Sequence, residues 1–217
     1  MTQTLILTLP DQQIQIKRKA GNKRMSKDLS NEALLSALKE GQADVFPLLV
    51  SRMKSQLFNM IYRFLGNYQD AEDVVQEAFI KIYLNIDKYN EDYKATTWIY
   101  TIAMNLARTN YRKKHRWEIL ASSLKKDDDS PDFIDNIADL TLSPEFYSDS
   151  AVQQQMIETA IQKVTPQFRE AMILRDMEGL TYEEISVILE LNIGTVKSRI
   201  NRAREEFKKY LSKEVNK

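Results

Sequence analysis

Between Asn31 and Phe207 the apolar positions recur at three- and four-residue intervals, the spacing of helices with one buried side. Leu34, Leu35 and Leu38 follow a cap at Ser30 or Asn31. From Asp44, the positions Val45, Leu48, Leu49, Met53, Leu57 and Met60 form one stripe. A second runs from about Gln69 to Ile86 through Ala71, Val74, Val75, Ala78, Phe79 and Ile82. After a polar break at Asp87 to Lys94, a third helix is predicted over Thr96–Arg116. Stripes of this kind with short joints make a small helical bundle. A second helical module begins near Ala151. Thr165 is expected to cap a helix there, with Pro166 at its first position, where a missing amide costs nothing.

The last elements carry the most chemistry. Leu180 to Arg204 reads as two short helices around a tight turn. Thr181 and Glu184 are spaced as a capping box. Ile185, Ile188 and Leu189 give the first helix its buried side, Glu190 and Leu191 fall in the turn, and Asn192 caps the second helix. Ile193, Val196, Ile200, Ala203 and Phe207 are expected to face inward. Thr195, Lys197, Ser198, Arg199, Asn201 and Arg202 are left outward, as donors for phosphates and base edges on a helix of major-groove width. A helical hairpin with a merely solvated face would share this outline.

Composition narrows the class. With five Gly and five Pro in 217 residues, long helices are favoured over many short strands. The absence of Cys excludes disulfides and thiolate chemistry. No stretch is long and apolar enough to span a membrane, and a cytoplasmic location is expected. Net charge is zero, yet unevenly spread. Arg108, Arg112, Lys113, Lys114 and Arg116 form a basic cluster, Asp127 to Asp149 an acidic run, and the tail from Lys197 is basic again. The one histidine, His115, lies in the basic cluster and reads as one more polar surface residue rather than a general base, and no phosphate loop or metal-ligand spacing appears. The reading is therefore not an enzyme, with no cofactor and no metal site.

The expected class is all-α, two helical domains joined by a flexible acidic linker. Residues 1–27 are read as a flexible extension, or residues 1–24 as sequence upstream of a start at Met25. Residues 28–116 form the first domain, 117–150 the linker and 151–217 the second domain.

Two segments together resemble one family, the bacterial sigma factors of the extracytoplasmic-function group. They are DAEDVVQEAFIKIYLNIDKY (Asp70–Tyr89) with Thr97–Asn105, and TPQFREAMILRDMEGLTYEEISVILELNIGTVKSRINRAR (Thr165–Arg204). The resemblance covers about residues 28–212. It implies a dissociable subunit of core RNA polymerase that directs promoter recognition and transcription initiation. Residues 28–116 would be sigma domain 2 and 151–217 sigma domain 4. Asp70, Asp73, Gln76 and Glu77 would bind the polymerase clamp helices. Trp98, Asn105, Arg108, Arg112 and Lys113 would contact the −10 element as it opens, with Trp98 equally readable as core; aromatics beside cations suit unstacked bases. Thr195, Lys197, Ser198, Arg199, Asn201 and Arg202 would read the −35 element, and the second domain would meet the polymerase flap. An anti-sigma factor is an implied partner. Three positions depart from the family pattern: Met104 replaces a common basic residue, Thr109 a common Asp and Glu190 the usual turn glycine. The alternative is a polymerase-independent helix-turn-helix regulator that binds duplex DNA.

Overall fold

The computed structural model describes residues 5–9, 12–16, 29–124 and 149–215. Eight α-helices account for most of them: α1 (Asn31–Lys39), α2 (Phe46–Leu65), α3 (Tyr68–Leu84), α4 (Ala95–Leu124), α5 (Asp149–Lys163), α6 (Pro166–Met172), α7 (Tyr182–Leu189) and α8 (Ile193–Val215). The expected all-α class holds for both modules.

Among the described residues the departure from an all-α chain is an antiparallel hairpin, β1 (Leu5–Leu9) and β2 (Gln12–Ile16), within the stretch expected to be a flexible extension, the rest of which lies outside the described residues. Its register pairs Leu5 with Ile16 and Leu7 with Ile14. The weak alternation of Leu5 to Leu9 is thus a strand period, completed by Ile14 and Ile16 two residues apart. The acidic linker expected over 117–150 falls mostly outside the described residues. Its first part does not: α4 runs on to Leu124, past the boundary placed at Arg116.

In the first module, α1 starts at Ser30, whose hydroxyl accepts the Ala33 amide at 3.2 Å. α2 ends at Gly66 in the left-handed region (φ 73°), and Asn67 caps α3 by accepting the Asp70 amide at 2.9 Å. Leu34, Leu49, Met53, Leu57, Ala71, Ala78, Ile82, Ile99 and Ala103 are buried together. Phe46 packs against Phe79 and Tyr83 at centroid distances of 6.4 and 5.1 Å. Met104 is fully buried, so the residue that departs from the family pattern belongs to the core.

In the second module, Thr165 precedes α6 without capping it through its side chain. Its amide and hydroxyl instead donate to the Glu206 carboxylate on α8, at 2.7 and 3.1 Å. A π-helical turn, Ile173–Met177, continues α6. The capping box forms as expected: the Glu184 amide donates to Thr181 Oγ1 and the Thr181 amide to Glu184 Oε2. Asn192 Oδ1 accepts the Thr195 amide at 2.8 Å and starts α8. Val196, Ile200 and Ala203 are buried and Phe207 partly so, but Ile193 is exposed. The first residue of a helix precedes the turn that packs, which explains that error. Glu190 adopts the left-handed conformation (φ 55°, ψ 46°) that glycine would take without a Cβ penalty.

The two modules are packed against each other and share one continuous apolar cluster. α5 and α6 cover the C-terminal end of α2, and α7 lies along α4. Buried Arg169 ties the modules by donating to Phe64 O at 2.8 Å, Val164 O at 3.1 Å and Gln162 Oε1 at 2.6 Å. Gln162 in turn donates to Arg63 O at 2.8 Å. Desolvation brings the Arg169 guanidinium down to about 10, which leaves it charged at neutral pH. Its hydrogen bonds to carbonyls are what make that burial tolerable.

Candidate nucleic-acid and polymerase interfaces

The polar face of α3 follows from its apolar stripe. With Val74, Val75 and Ala78 turned inward, Asp73, Gln76 and Glu77 stand exposed. Asp73 accepts from Gln69 at 3.4 Å, and Glu77 pairs with Lys81 one turn on at 3.2 Å. Gln76 also borders a groove with Phe58, Tyr68 and Lys54. Asp70 is set apart from the other three: it is half-buried and accepts from Lys114 on α4 at 2.8 Å. Tyr68, 61% exposed, flanks this face and leans on Phe58 at 4.9 Å.

On α4, Trp98, Ile102, Asn105 and Leu106 recur on one side. With Lys81, Asn85 and Lys88 they line a recess of about 310 Å³ between α3 and α4. Trp98 is half-buried and packs on the buried Tyr89 ring at 5.3 Å, so one edge is core and the other lines the recess. Arg112 and Lys113 are exposed one to two turns further along. Arg108 does not join them. It points toward the second module, where its Nε donates to Glu170 Oε2 at 2.8 Å and its Nη2 to Ile188 O at 3.2 Å. A third bond, from Nη1 to Asn105 Oδ1 at 3.2 Å, links it back to the recess.

On α8, Lys197, Ser198, Asn201 and Arg202 form the exposed face, with Thr195 at its edge. Lys197 lies over the Tyr182 ring at 5.4 Å and Arg202 over Phe168 at 5.7 Å, which orients both cations without neutralising them. Arg199 is off this face. It is half-buried and donates to Glu170 Oε1 at 3.2 Å. Thus Arg108 and Arg199, drawn from the two expected DNA-reading helices, meet on one buried carboxylate. Desolvation pushes the Glu170 carboxyl up, and the Arg108 and Arg199 guanidiniums pull it only part of the way back.

Other contacts cross the same seam. The Tyr100 hydroxyl is raised by burial and donates to Glu178 Oε2 at 2.7 Å. Lys94 pairs with Glu184 at 2.8 Å. Glu170, Glu178, Arg169 and Tyr100 are a group that sequence reasoning misses. Arg169, Glu170 and Tyr100 sit in helices that look complete within their own modules and Glu178 just past the end of one, and no local spacing signals a partner across the chain. No group of His, Cys, Asp or Glu able to hold a metal occurs among the described residues. None of the described helices is long and apolar enough to cross a membrane.

Two helical modules, one with a recess walled by one aromatic, Trp98, and by cations, and one with a capped helix-turn-helix, define a DNA-reading protein of bipartite design. Comparison with known proteins says which kind. Residues 49–117 match the Sigma-70 region 2 model and residues 154–207 the Sigma-70 region 4 model. The chain is 35% identical over 177 residues to the ECF RNA polymerase sigma factor SigW of Bacillus subtilis, covering 82% of this chain and 94% of that one. It is 34% identical over 188 residues to the ECF RNA polymerase sigma-E factor of Escherichia coli, covering 83% and 94%. Among solved structures, CnrH in complex with the cytosolic domain of CnrY has a similar fold, with a TM-score of 0.61, 21% identity and coverage of 84% and 97%. The chain belongs to the extracytoplasmic-function group of RNA polymerase sigma factors. It is a dissociable subunit that binds core RNA polymerase and directs promoter recognition and transcription initiation.

Proposed function

We propose that the three surfaces divide the work of initiation as their chemistry suggests. The exposed acidic and amide face of α3, with Asp73, Gln76 and Glu77 at its centre and Asp70 at its edge, engages the clamp helices of core polymerase. The recess of α4, with Trp98, Asn105, Arg112, Lys113 and a released Arg108, takes the opened −10 strand, where an aromatic and flanking cations suit unstacked bases. The face of α8, with Thr195, Lys197, Ser198, Asn201, Arg202 and a released Arg199, reads the −35 duplex. The observation that carries this division is the physical separation of the surfaces. Asp73, Gln76 and Glu77 point to solvent on α3, and the cationic residues lie on α4 and α8.

The protein itself performs no bond-making step in this reading, acts in the cytoplasm where polymerase is, and has an anti-sigma factor and the polymerase flap as further partners. The alternative, a polymerase-independent regulator, requires free access to Arg199 in the isolated chain. The engagement of Arg199 by Glu170 disfavours it.

Run-off transcription with purified core polymerase on genomic fragments tests the proposal. Discrete start sites that depend on the added chain are expected. Asp73→Arg combined with Gln76→Ala is expected to abolish core binding while leaving the helical circular dichroism signal intact. Unchanged affinity would remove α3 from the core interface, and failure of the wild type to redirect core would end the division of labour.

A further inference from the structure

The seam between the modules engages two residues expected on DNA. Glu170 has a side chain only 7% exposed and takes Arg108 from α4 on one oxygen and Arg199 from α8 on the other. Arg108 also donates to the last turn of α7, the first helix of the helix-turn-helix. At the far end of the seam, Lys94 meets Glu184 in the capping box of that same helix. Two guanidiniums bound to one carboxylate lie within a few ångströms of each other. The −10 and −35 elements they would read are, by their positions, about 25 base pairs apart, roughly 85 Å along B-DNA at 3.4 Å per pair. The packed arrangement therefore cannot engage both elements, and it withholds one cation from each.

We propose that Glu170 is an autoinhibitory latch: by holding Arg108 and Arg199 together it keeps the free chain closed and poor at binding DNA, and separation of the modules on polymerase releases both arginines. This rests on the assignment of α4 and α8 as the DNA-reading helices. A buried carboxylate suits such a latch. In the closed state two partners compensate it, and if either leaves, the remaining desolvated charge favours full opening to water over a half-open state.

The chain has no cysteine, so Lys54→Cys on α2 and Lys208→Cys on α8, both exposed positions, carry a fluorescent donor and acceptor uniquely. In the free chain, Glu170→Gln is expected to lower transfer efficiency. It is also expected to raise affinity for a promoter duplex mapped by run-off transcription, about tenfold at low salt. Each arginine freed to meet a phosphate steepens the dependence of log K on log salt by about 0.9, so the slope should steepen by roughly one to two units. Glu183→Gln, which makes the same charge change at an exposed site on α7, should reproduce none of this. Lys94→Glu opposes Glu184 from the exposed rim and should act in the same direction as Glu170→Gln, more weakly. It decides the matter alone if Glu170→Gln does not fold.

Unchanged transfer efficiency and unchanged DNA affinity in the folded variants would overturn the latch. Transcription with core keeps this apart from the parent assignment. If every variant still directs core to the mapped start site but free-chain binding does not rise, the latch is wrong and the DNA-reading assignment stands. If the wild type directs no transcription, the assignment itself has failed.

Discussion

Single residues here hold conformations that their own chemistry does not favour. Glu190 sits left-handed in the helix-turn-helix, at φ 55°. A non-glycine residue there costs about 1 kcal/mol or more, and the turn is kept because Leu191 accepts from Ser186 through its carbonyl and donates its amide to Ser186 O at 3.0 Å. Glu190→Gly is therefore expected to raise unfolding free energy by about 1 kcal/mol, read as a higher denaturant midpoint at constant slope. Acid sensitivity belongs at the same scale. Burial raises the Glu184 carboxyl, but Lys94 and the Thr181 amide and hydroxyl outweigh it and hold it below the ordinary glutamate range. Glu32 is also held low, first by its own backbone amide, against some desolvation, and by the Ala95 amide. A carboxylate with a depressed folded value contributes stability that is present above its unfolded value, about pH 4.3, and lost as pH falls through the folded value. Chemical denaturation between about pH 6 and 3 should therefore show a falling limb below about pH 4.3. Glu184→Gln should make that limb shallower.

At the level of elements, the helix ends decide what the helices can touch. Gly66 terminates α2 at φ 73°, and a Cβ there would lie 2.6 Å from Gln162 Oε1. Gln162 cannot simply swing away, because it donates to Arg63 O and accepts from Arg169. Gly66→Ala thus combines a left-handed strain of about 1 kcal/mol with disruption of the hydrogen bonds that dock α5 onto α2. A lowered melting temperature and increased proteolytic cleavage in the seam are expected; a neutral effect would show that Gln162 repacks freely. The two flanks of α8 should differ as well. Lys197 is exposed in the closed chain and Arg199 is engaged. Lys197→Ala should weaken promoter binding by the free chain and by the holoenzyme alike, lowering the salt slope by about one. Arg199→Ala should reduce binding by the holoenzyme, while in the free chain the lost contact is offset by the opening that follows when Glu170 loses one of its two partners. Equal losses from both substitutions in the free chain would place Arg199 on the open face.

For the molecule as a whole, the closed arrangement follows from how charge and apolar area are apportioned. The apolar cluster runs without a break from the first module to the second, so part of the area that stabilises either module is buried against the other. The rim pair of Lys94 and Glu184 is too exposed to add much stability, whereas the buried Arg169 and Glu170 sites are costly to leave half-satisfied. Opening should therefore be cooperative, with the ion pairs and hydrogen bonds of the seam breaking as a group. In a Glu178→Gln variant, whose substitution weakens the Tyr100 hydrogen bond at 2.7 Å, the transfer efficiency between labels on α2 and α8 should fall without loss of helix content.

Periodicity alone is enough to place most of the helices. Stripes such as Val74, Val75 and Ala78, and caps such as Ser30, Asn192 and the Thr181–Glu184 box, are local, because a helix is specified by neighbours three and four residues away. The family's motifs extend that to function, since the residues of the helix-turn-helix lie within one short stretch. Local information runs out where a partner comes from far along the chain. Thr165 reads as a cap in sequence but donates to Glu206. Arg108 and Arg199 read as equivalent to their exposed neighbours, but both turn to Glu170. The strands near Leu5 and Ile14 also need each other to exist. Sequence determined which faces are apolar and which carry charge. Only the tertiary structure decided which charges remain available, because desolvation and pairing depend on what packs above them.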